Sequence, residues 1–201
     1  RQQLRSGEHG RIQAAQILLS FMLNNPGDFR FDVKKGGGAL YDLGCYTAMT
    51  ARYLFDRQPE RVFCSMVRSP HNDTDETTHA ILDFGQGQQA TLTVSLKMAA
   101  SQRVQVVCEK SLLDLSAPYV PGSGSPATLW IDSHTGLDDA APQPQTLPVV
   151  EQYQCEVTNC SGAMRGELTP EFGVEDAIAQ MQVMDALFAA AERGQWVEVA
   201  K

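Results

Sequence analysis

Apolar residues dominate RIQAAQILLSFMLNN, residues 11–25, and Asn24, Asn25, Pro26 and Gly27 punctuate its end, which predicts a long strand closing in a turn. The segment GDFRFDVKKGGG that follows has no sustained period and reads as an irregular loop. A helix is predicted from about Ala39 to Phe55, where only Gly44 interrupts the pattern. Four strand-length segments come next: ERVFCSMVR, ETTHAILDF, QQATLTVSLKM and RVQVVCEKSLLDL, each alternating or rich in β-branched residues. Short turns between consecutive strands imply a mostly antiparallel sheet. The Pro, Gly and Ser residues of SAPYVPGSGSPA and the prolines of DDAAPQPQTLP mark surface excursions around one short strand, TLWIDS. Helices are predicted over about Glu151–Arg165 and about Val174–Arg193. In the second, Ile178, Met181, Met184, Ala186, Leu187 and Phe188 form a wide apolar face, and WVEV closes the chain as a strand.

At 201 residues with 43% hydrophobic and 20% charged positions, the chain is of ordinary globular composition, and a single domain over 1–201 is expected. The opening RQQLRSGEHG reads as the last turns of a helix begun upstream, so a fragment of a longer protein is expected. A net charge of -8 with no basic stripe argues against nucleic acid as a partner. No apolar run approaches the roughly 20 residues of a membrane span, which argues against a membrane partner. Five cysteines, an odd number with no C-x-x-C, argue against a disulfide scaffold and a zinc site, and fit a reducing cytoplasm.

Several segments imitate functional motifs. GQGQQA, Gly85 to Ala90, matches G-x-G-x-x-A, but an alternating strand follows where a pyrophosphate site needs a helix N-terminus, so a hairpin turn is expected. His71 and His79 flank NDTDET, whose spacing suits a solvated loop better than a metal site. Cys155 and Cys160 would lie about 140° apart on a helix and read as half-buried thiols.

The segment KKGGGALYDLGCYTAMTARYLFD carries the candidate chemistry. On a helix from Ala39, Leu43, Thr47, Ala51 and Leu54 form a core stripe, while Asp42, Tyr46, Met49 and Tyr53 form a second stripe about 100° away. Asp42 in the first turn is either a helix-stabilising anion or a functional acid, and Tyr46 is either an amphipathic core residue or a proton-transferring phenol. Gly36, Gly37 and Gly38 permit positive φ and clear side chains from the space over the helix N-terminus. An acid beside a phenol raises rather than lowers its pKa, so proton transfer at Tyr46 calls for a cation. Arg52 points about 120° away from Tyr46 on the helix.

GDFRFDVKKGGGALYDLGCYTAMTARYLFDRQPERVFC resembles the signature of the C-terminal domain of the Gfo/Idh/MocA oxidoreductases. The flanks LRSGEHGRIQAAQILLSF and FGVEDAIAQMQVMDALFAAAERGQWVEV resemble the entry and exit of that domain. Tyr46 stands where many members carry histidine, which is similar to the dihydrodiol and pentose dehydrogenase branch. The resemblance implies an α+β fold, an open, predominantly antiparallel or mixed sheet with helices on one face and a homodimer formed through the other. It also implies NAD or NADP, bound mainly by an N-terminal Rossmann domain that this sequence lacks, and a sugar, polyol or related alcohol as substrate. Tyr46 and Asp42 would then be catalytic, beside a lysine of a Glu-Lys-Pro motif that is also lacking here. Gly36, Gly37 and Gly38 would face the cofactor, and Arg30 and Lys35 are candidate substrate contacts. A non-catalytic binding module of the same fold, or a lyase or isomerase working without nicotinamide, remains open on these residues.

Overall fold

The computed structural model describes residues 2–121, 125–133, 136 and 142–200. A short helix α1 (Gln2–Arg5) leads into strand β1 (Ile12–Met22), which becomes the central strand of a nine-stranded sheet. The others are β2 (Arg61–Arg68), β3 (Asp75–Asp83), β4 (Gln89–Ser95), β5 (Lys97–Cys108), β6 (Leu112–Ser116), β7 (Thr128–Asp132), β8 (Gln143–Thr146) and β9 (Val197–Glu198). Their spatial order is β8-β7-β6-β5-β1-β4-β3-β2-β9. β1 runs parallel to β4 and antiparallel to β5, and every other pairing is antiparallel, so the sheet is mixed and open as expected.

One feature of this order was not readable as a turn. β4 and β5 are consecutive in sequence yet lie on opposite sides of β1, so the chain arches over the end of β1 at Leu96, whose carbonyl accepts the Leu23 N–H at 2.9 Å. The stretch RVQVVCEKSLLDL is likewise two strands, divided by a turn in which Cys108 N–H donates to Ser111 O at 2.8 Å. β8 forms within the proline-rich excursion. It sits at the sheet edge, where Pro144 opposite Trp130 lacks a donor at little cost.

Helix α2 (Cys45–Phe55) and helix α4 (Val174–Arg193) share one core with the sheet through Ala48, Ala51, Val183 and Leu187 against Val62 and Leu82. Phe55 stacks on Phe84 with ring centroids 4.2 Å apart. α4 carries Glu175 and Asp176 in its first turn and Arg193 in its last, matching the helix dipole, and Gly194 takes the left-handed φ of 63° that ends it. Its inward face is Val183, Met184, Ala186, Leu187 and Ala190, whereas Ile178 and Met181, expected on that face, are exposed. Helix α3 (Gln152–Met164) stands away from the core, with only Gly162 buried, and Cys155 and Cys160 are exposed rather than half-buried. The other sheet face presents mainly polar side chains, Gln16, His79, Thr91 and Arg103 among them. Among the described residues, no helix is long and apolar enough to cross a membrane.

Candidate active site

The loop before α2 is built from two 3-10 turns, each capped by its own aspartate. Asp28 accepts from Arg30 N–H and Asp32 from Lys34 N–H. Gly36 then takes a φ of 72°, and the chain doubles back so that Gly37 N–H donates to Asp32 O and Gly38 N–H to Arg30 O, both at 2.9 Å. A Cβ at Gly37 would strike the Arg30 carbonyl, and one at Gly38, where φ is 121°, would strike the Asp75 carboxylate. The space over the helix N-terminus is therefore occupied at Gly38 by a side chain of this chain. At Gly36 an added Cβ would meet nothing within 4 Å.

Asp75 opens β3 and is 3% exposed, so NDTDET ends in buried structure rather than a solvated loop. Its Oδ2 accepts the Leu40 N–H and the Thr78 hydroxyl, each at 2.7 Å. Ala39, the residue in the capping position, makes no side-chain cap, so the cap reaches the helix from the sheet. Such a bond from a charged acceptor contributes about 1.5–3 kcal/mol, offset by the burial of the charge. Burial pushes the Asp75 carboxyl up, and the bonds from Thr78 and Leu40 oppose that without cancelling it.

The first turn after this cap, Leu40–Gly44, is a π-turn closed by Cys45 N–H donating to Leu40 O, and it continues into α2. Gly44 admits it, because a Cβ there would collide with the Leu40 side chain packed over it. Leu40 and Leu43 stay buried, while Asp42 and Tyr46 face a cleft of about 570 Å³ also lined by Arg30, Tyr119, Tyr153 and Glu156. π-turns of this kind recur at functional sites.

In the cleft, Arg30 Nε lies 2.7 Å from Asp42 Oδ2, and Arg30 Nη1 lies 3.3 Å from Asp28 Oδ1. The Nε–H is poorly aligned with the Asp42 oxygen, yet at this distance the carboxylate is its nearest acceptor and the pair is a close ionic contact. Asp42 and Asp28 hold the guanidinium firmly protonated. Asp42 thus meets Arg30, not Tyr46. The Tyr46 side chain is 57% exposed in the cleft, and its hydroxyl has no hydrogen-bond partner among the described residues. Burial, then Cys45 and Asp42, push its phenol up. The neighbouring wall is Tyr119, whose hydroxyl lies 3.0 Å from Thr50 Oγ1.

Arg30, Asp42 and Tyr46 therefore converge, whereas Lys35 pairs with Asp32 at 3.4 Å and lies outside the cleft lining. Arg52 points elsewhere, as its phase on the helix predicts, and is held by Asp176 of α4 at 2.7 Å. GQGQQA is the β3–β4 hairpin, with positive φ at Gly85, Gln86 and Gly87. Sequence reasoning missed two residues of the region, Asp75 and Tyr119. Tyr119 sits in an expected surface excursion, and the signal for it lies on another strand: Gln102 of β5 accepts from Tyr119 N–H and Val120 N–H and donates to Val120 O, pinning the segment.

The chain is 32% identical over 194 residues to an uncharacterized oxidoreductase, ORF334, of Rhizobium meliloti, a match covering 96% of this chain and 58% of that protein. It is 25% identical over 198 residues to a D-xylose 1-dehydrogenase (NADP(+)) of Haloferax volcanii, covering 98% of this chain and 59% of the relative. The fold is shared with the crystal structure of an aldose-aldose oxidoreductase from Caulobacter crescentus complexed with glycerol. There the TM-score is 0.85 at 21% identity, over 98% of this chain and 58% of that one. The chain thus spans under three fifths of each of these proteins. The GFO/IDH/MocA C-terminal domain pattern matches residues 1–114, more than half of the sequence and the whole of the glycine turn, the π-turn and the Asp75 cap, and the chain belongs to that family.

Proposed function

We propose that this chain is the substrate-binding and dimerisation domain of an NAD(P)-dependent oxidoreductase acting on a sugar, polyol or related alcohol carbon, with Tyr46 as its proton-transferring group. The single observation that carries the reading is the unpartnered Tyr46 hydroxyl in a cleft beside Arg30 and Asp42. The relatives, sugar-related oxidoreductases, support the substrate class.

The residues present fit the nicotinamide end of a dinucleotide. Gly36 leaves the turn open to close approach, and the Tyr46 hydroxyl and the Arg30 guanidinium both face the cleft. They do not supply a pyrophosphate site, since the one glycine-rich match is a hairpin. When bound, the cofactor would supply the hydride acceptor in oxidation and, in its reduced form, the hydride donor in reduction. This chain's part is the proton. In reduction, the Tyr46 phenol gives its proton to the carbonyl oxygen as hydride reaches carbon. In oxidation, Tyr46 Oη receives the hydroxyl proton as hydride leaves. Here the phenol is held up by burial, Cys45 and Asp42, so it rests protonated. Bringing an ordinary phenol from about 10 to about 7 takes roughly 4 kcal/mol, and this one starts higher, so a further cation beside Tyr46 supplies what Arg30, already shared between Asp42 and Asp28, does not. Asp42 orients that cation while its charge is shared with Arg30. Arg30 directs a donor at a substrate hydroxyl, and Lys35, outside the lining, contacts only a ligand that extends past the loop. The domain pairs with a second copy through its open sheet face.

The test is NAD(P)-linked turnover of aldoses and polyols by the intact protein. Tyr46→Phe keeps the ring and removes the transferable proton, so kcat falls by about 100-fold or more while thermal stability holds. Full turnover by that variant would overturn the reading.

A further inference from the structure

We infer that Asp75 is a positioning residue for the reaction proposed above: from strand β3 it fixes the π-turn that aims Asp42 and Tyr46 into the cleft. The inference rests on that functional reading for its catalytic consequence. Asp75 does not line the cleft, so it acts through Leu40.

Leu40 is anchored at three points. Its N–H is taken by Asp75 Oδ2 at 2.7 Å, its carbonyl accepts the Cys45 N–H that closes the π-turn, and its side chain is 1% exposed over Gly44. Asp42 lies inside that turn and Tyr46 follows immediately after it, so the orientation of both is inherited from Leu40. The other Asp75 oxygen, Oδ1, fills the space where a Gly38 side chain would begin. The same carboxylate therefore shapes the glycine turn on one side and the π-turn on the other. Thr78 holds it from below, its hydroxyl donating to Oδ2 at 2.7 Å. The helix has no cap of its own to substitute, because Ala39 carries no polar side chain. Reacting groups displaced by about 1 Å lose on the order of 100-fold in rate, so loss of this anchor reads out at the Tyr46 hydroxyl without removing a group that touches substrate.

The experiment compares Asp75→Ala and Asp75→Asn in the intact protein, with amide hydrogen exchange and steady-state kinetics measured on both. Asp75→Asn keeps an oxygen acceptor and is expected to retain kcat within about 3-fold of the parent. Asp75→Ala is expected to lower kcat by about 10-fold or more, with KM for the alcohol changed by less than about 3-fold. In the same variant, amides 40–46 exchange about 10-fold faster while those of β1 and β4 are unchanged. If Asp75→Ala does not fold, Asp75→Ser, whose hydroxyl is too short to reach Leu40, takes its place with the same expectations. Unchanged kcat in the folded alanine or serine variant, exchange at 40–46 no faster than in the parent, or an asparagine variant as slow as the alanine one overturns the inference. A parent protein that turns over no aldose or polyol, or keeps full turnover as Tyr46→Phe, sinks the functional reading instead, and the exchange comparison still reports whether Asp75 holds the turn.

Discussion

Tyr46 and Tyr119 face each other in the cleft with ring centroids 6.2 Å apart and ring planes inclined at 59°. Thr50 links them: its hydroxyl donates to Tyr46 O at 2.8 Å, which leaves Tyr119 as the donor in the 3.0 Å contact with Thr50 Oγ1. Burial pushes the Tyr119 phenol up to about 12, so it keeps that proton throughout the neutral range. Tyr119→Phe is therefore expected to cost about 0.5–1.5 kcal/mol in denaturant unfolding and to leave the cleft wall in place. Tyr119→Ala removes the wall. It should raise KM for a sugar more than it lowers kcat, and an unchanged KM would show that substrate does not rest on this ring.

The helix after the glycines and its core stripe were legible because they depend on neighbours three and four residues apart. Leu43, Thr47 and Ala51 are indeed buried. What local spacing cannot carry is pairing across the fold. Asp75 reads as one acid in a polar run, and only the sheet brings it to the Leu40 amide. The partner of Asp42 is similarly nonlocal: a regular helix puts Tyr46 beside it, but the preceding loop delivers Arg30. The arch from β4 to β5 over β1 escaped for the same reason, since Leu96 alone separates two strands that never pair.

Arg52 ties α2 to α4 through a largely buried guanidinium, 9% exposed, bonded to Asp176, Gln180 and Gln58 at 2.7, 3.0 and 2.6 Å. The two ends of this pair are not equivalent. Asp176→Ala leaves the buried charge with neutral acceptors only and is expected to cost about 2–4 kcal/mol. Arg52→Met keeps much of the packing and leaves Asp176, 29% exposed, able to reach water, so about 1 kcal/mol is expected. Urea unfolding of both variants checks the order. A larger loss for Arg52→Met would mean that the guanidinium's bonds to Asp176, Gln180 and Gln58 together outweigh the cost of leaving its charge unpaired.

The open sheet face carries Gln16, His79, Thr91 and Arg103, a polar surface on which any pairing would rest on hydrogen bonds and complementary shape more than on apolar burial. If it is the homodimer interface, sedimentation at tens of micromolar, about the range in which a standard-size interface persists, gives a dimer. Thr91→Glu, on β4 between Ile81 of β3 and Gln16 of β1, places a charge within that face and should yield monomers. A monomeric parent would rule out this face as a stable interface.

Asp75 also sets a pH dependence. Its carboxyl is raised above the ordinary 3.8, chiefly by burial, so the folded chain binds this proton more tightly than the unfolded chain does. Stability from this group consequently falls as pH rises from the ordinary value through the raised one, and the full cost is present only above the raised value. The other groups acting here do not reverse that direction. Arg68 pulls the carboxyl down least of the several contributions, and the Cys64 thiol, pushed up to about 12 by burial and by Asp75 itself, stays uncharged. Asp75→Asn removes the titration and retains an acceptor for Leu40. Relative to that variant, the parent should gain thermal stability on acidification across the window that begins at 3.8 and ends at the raised value. Melting curves collected on both proteins over that range check it. Parallel pH profiles would mean that the bonds from Leu40 and Thr78 fully offset the burial of the charge.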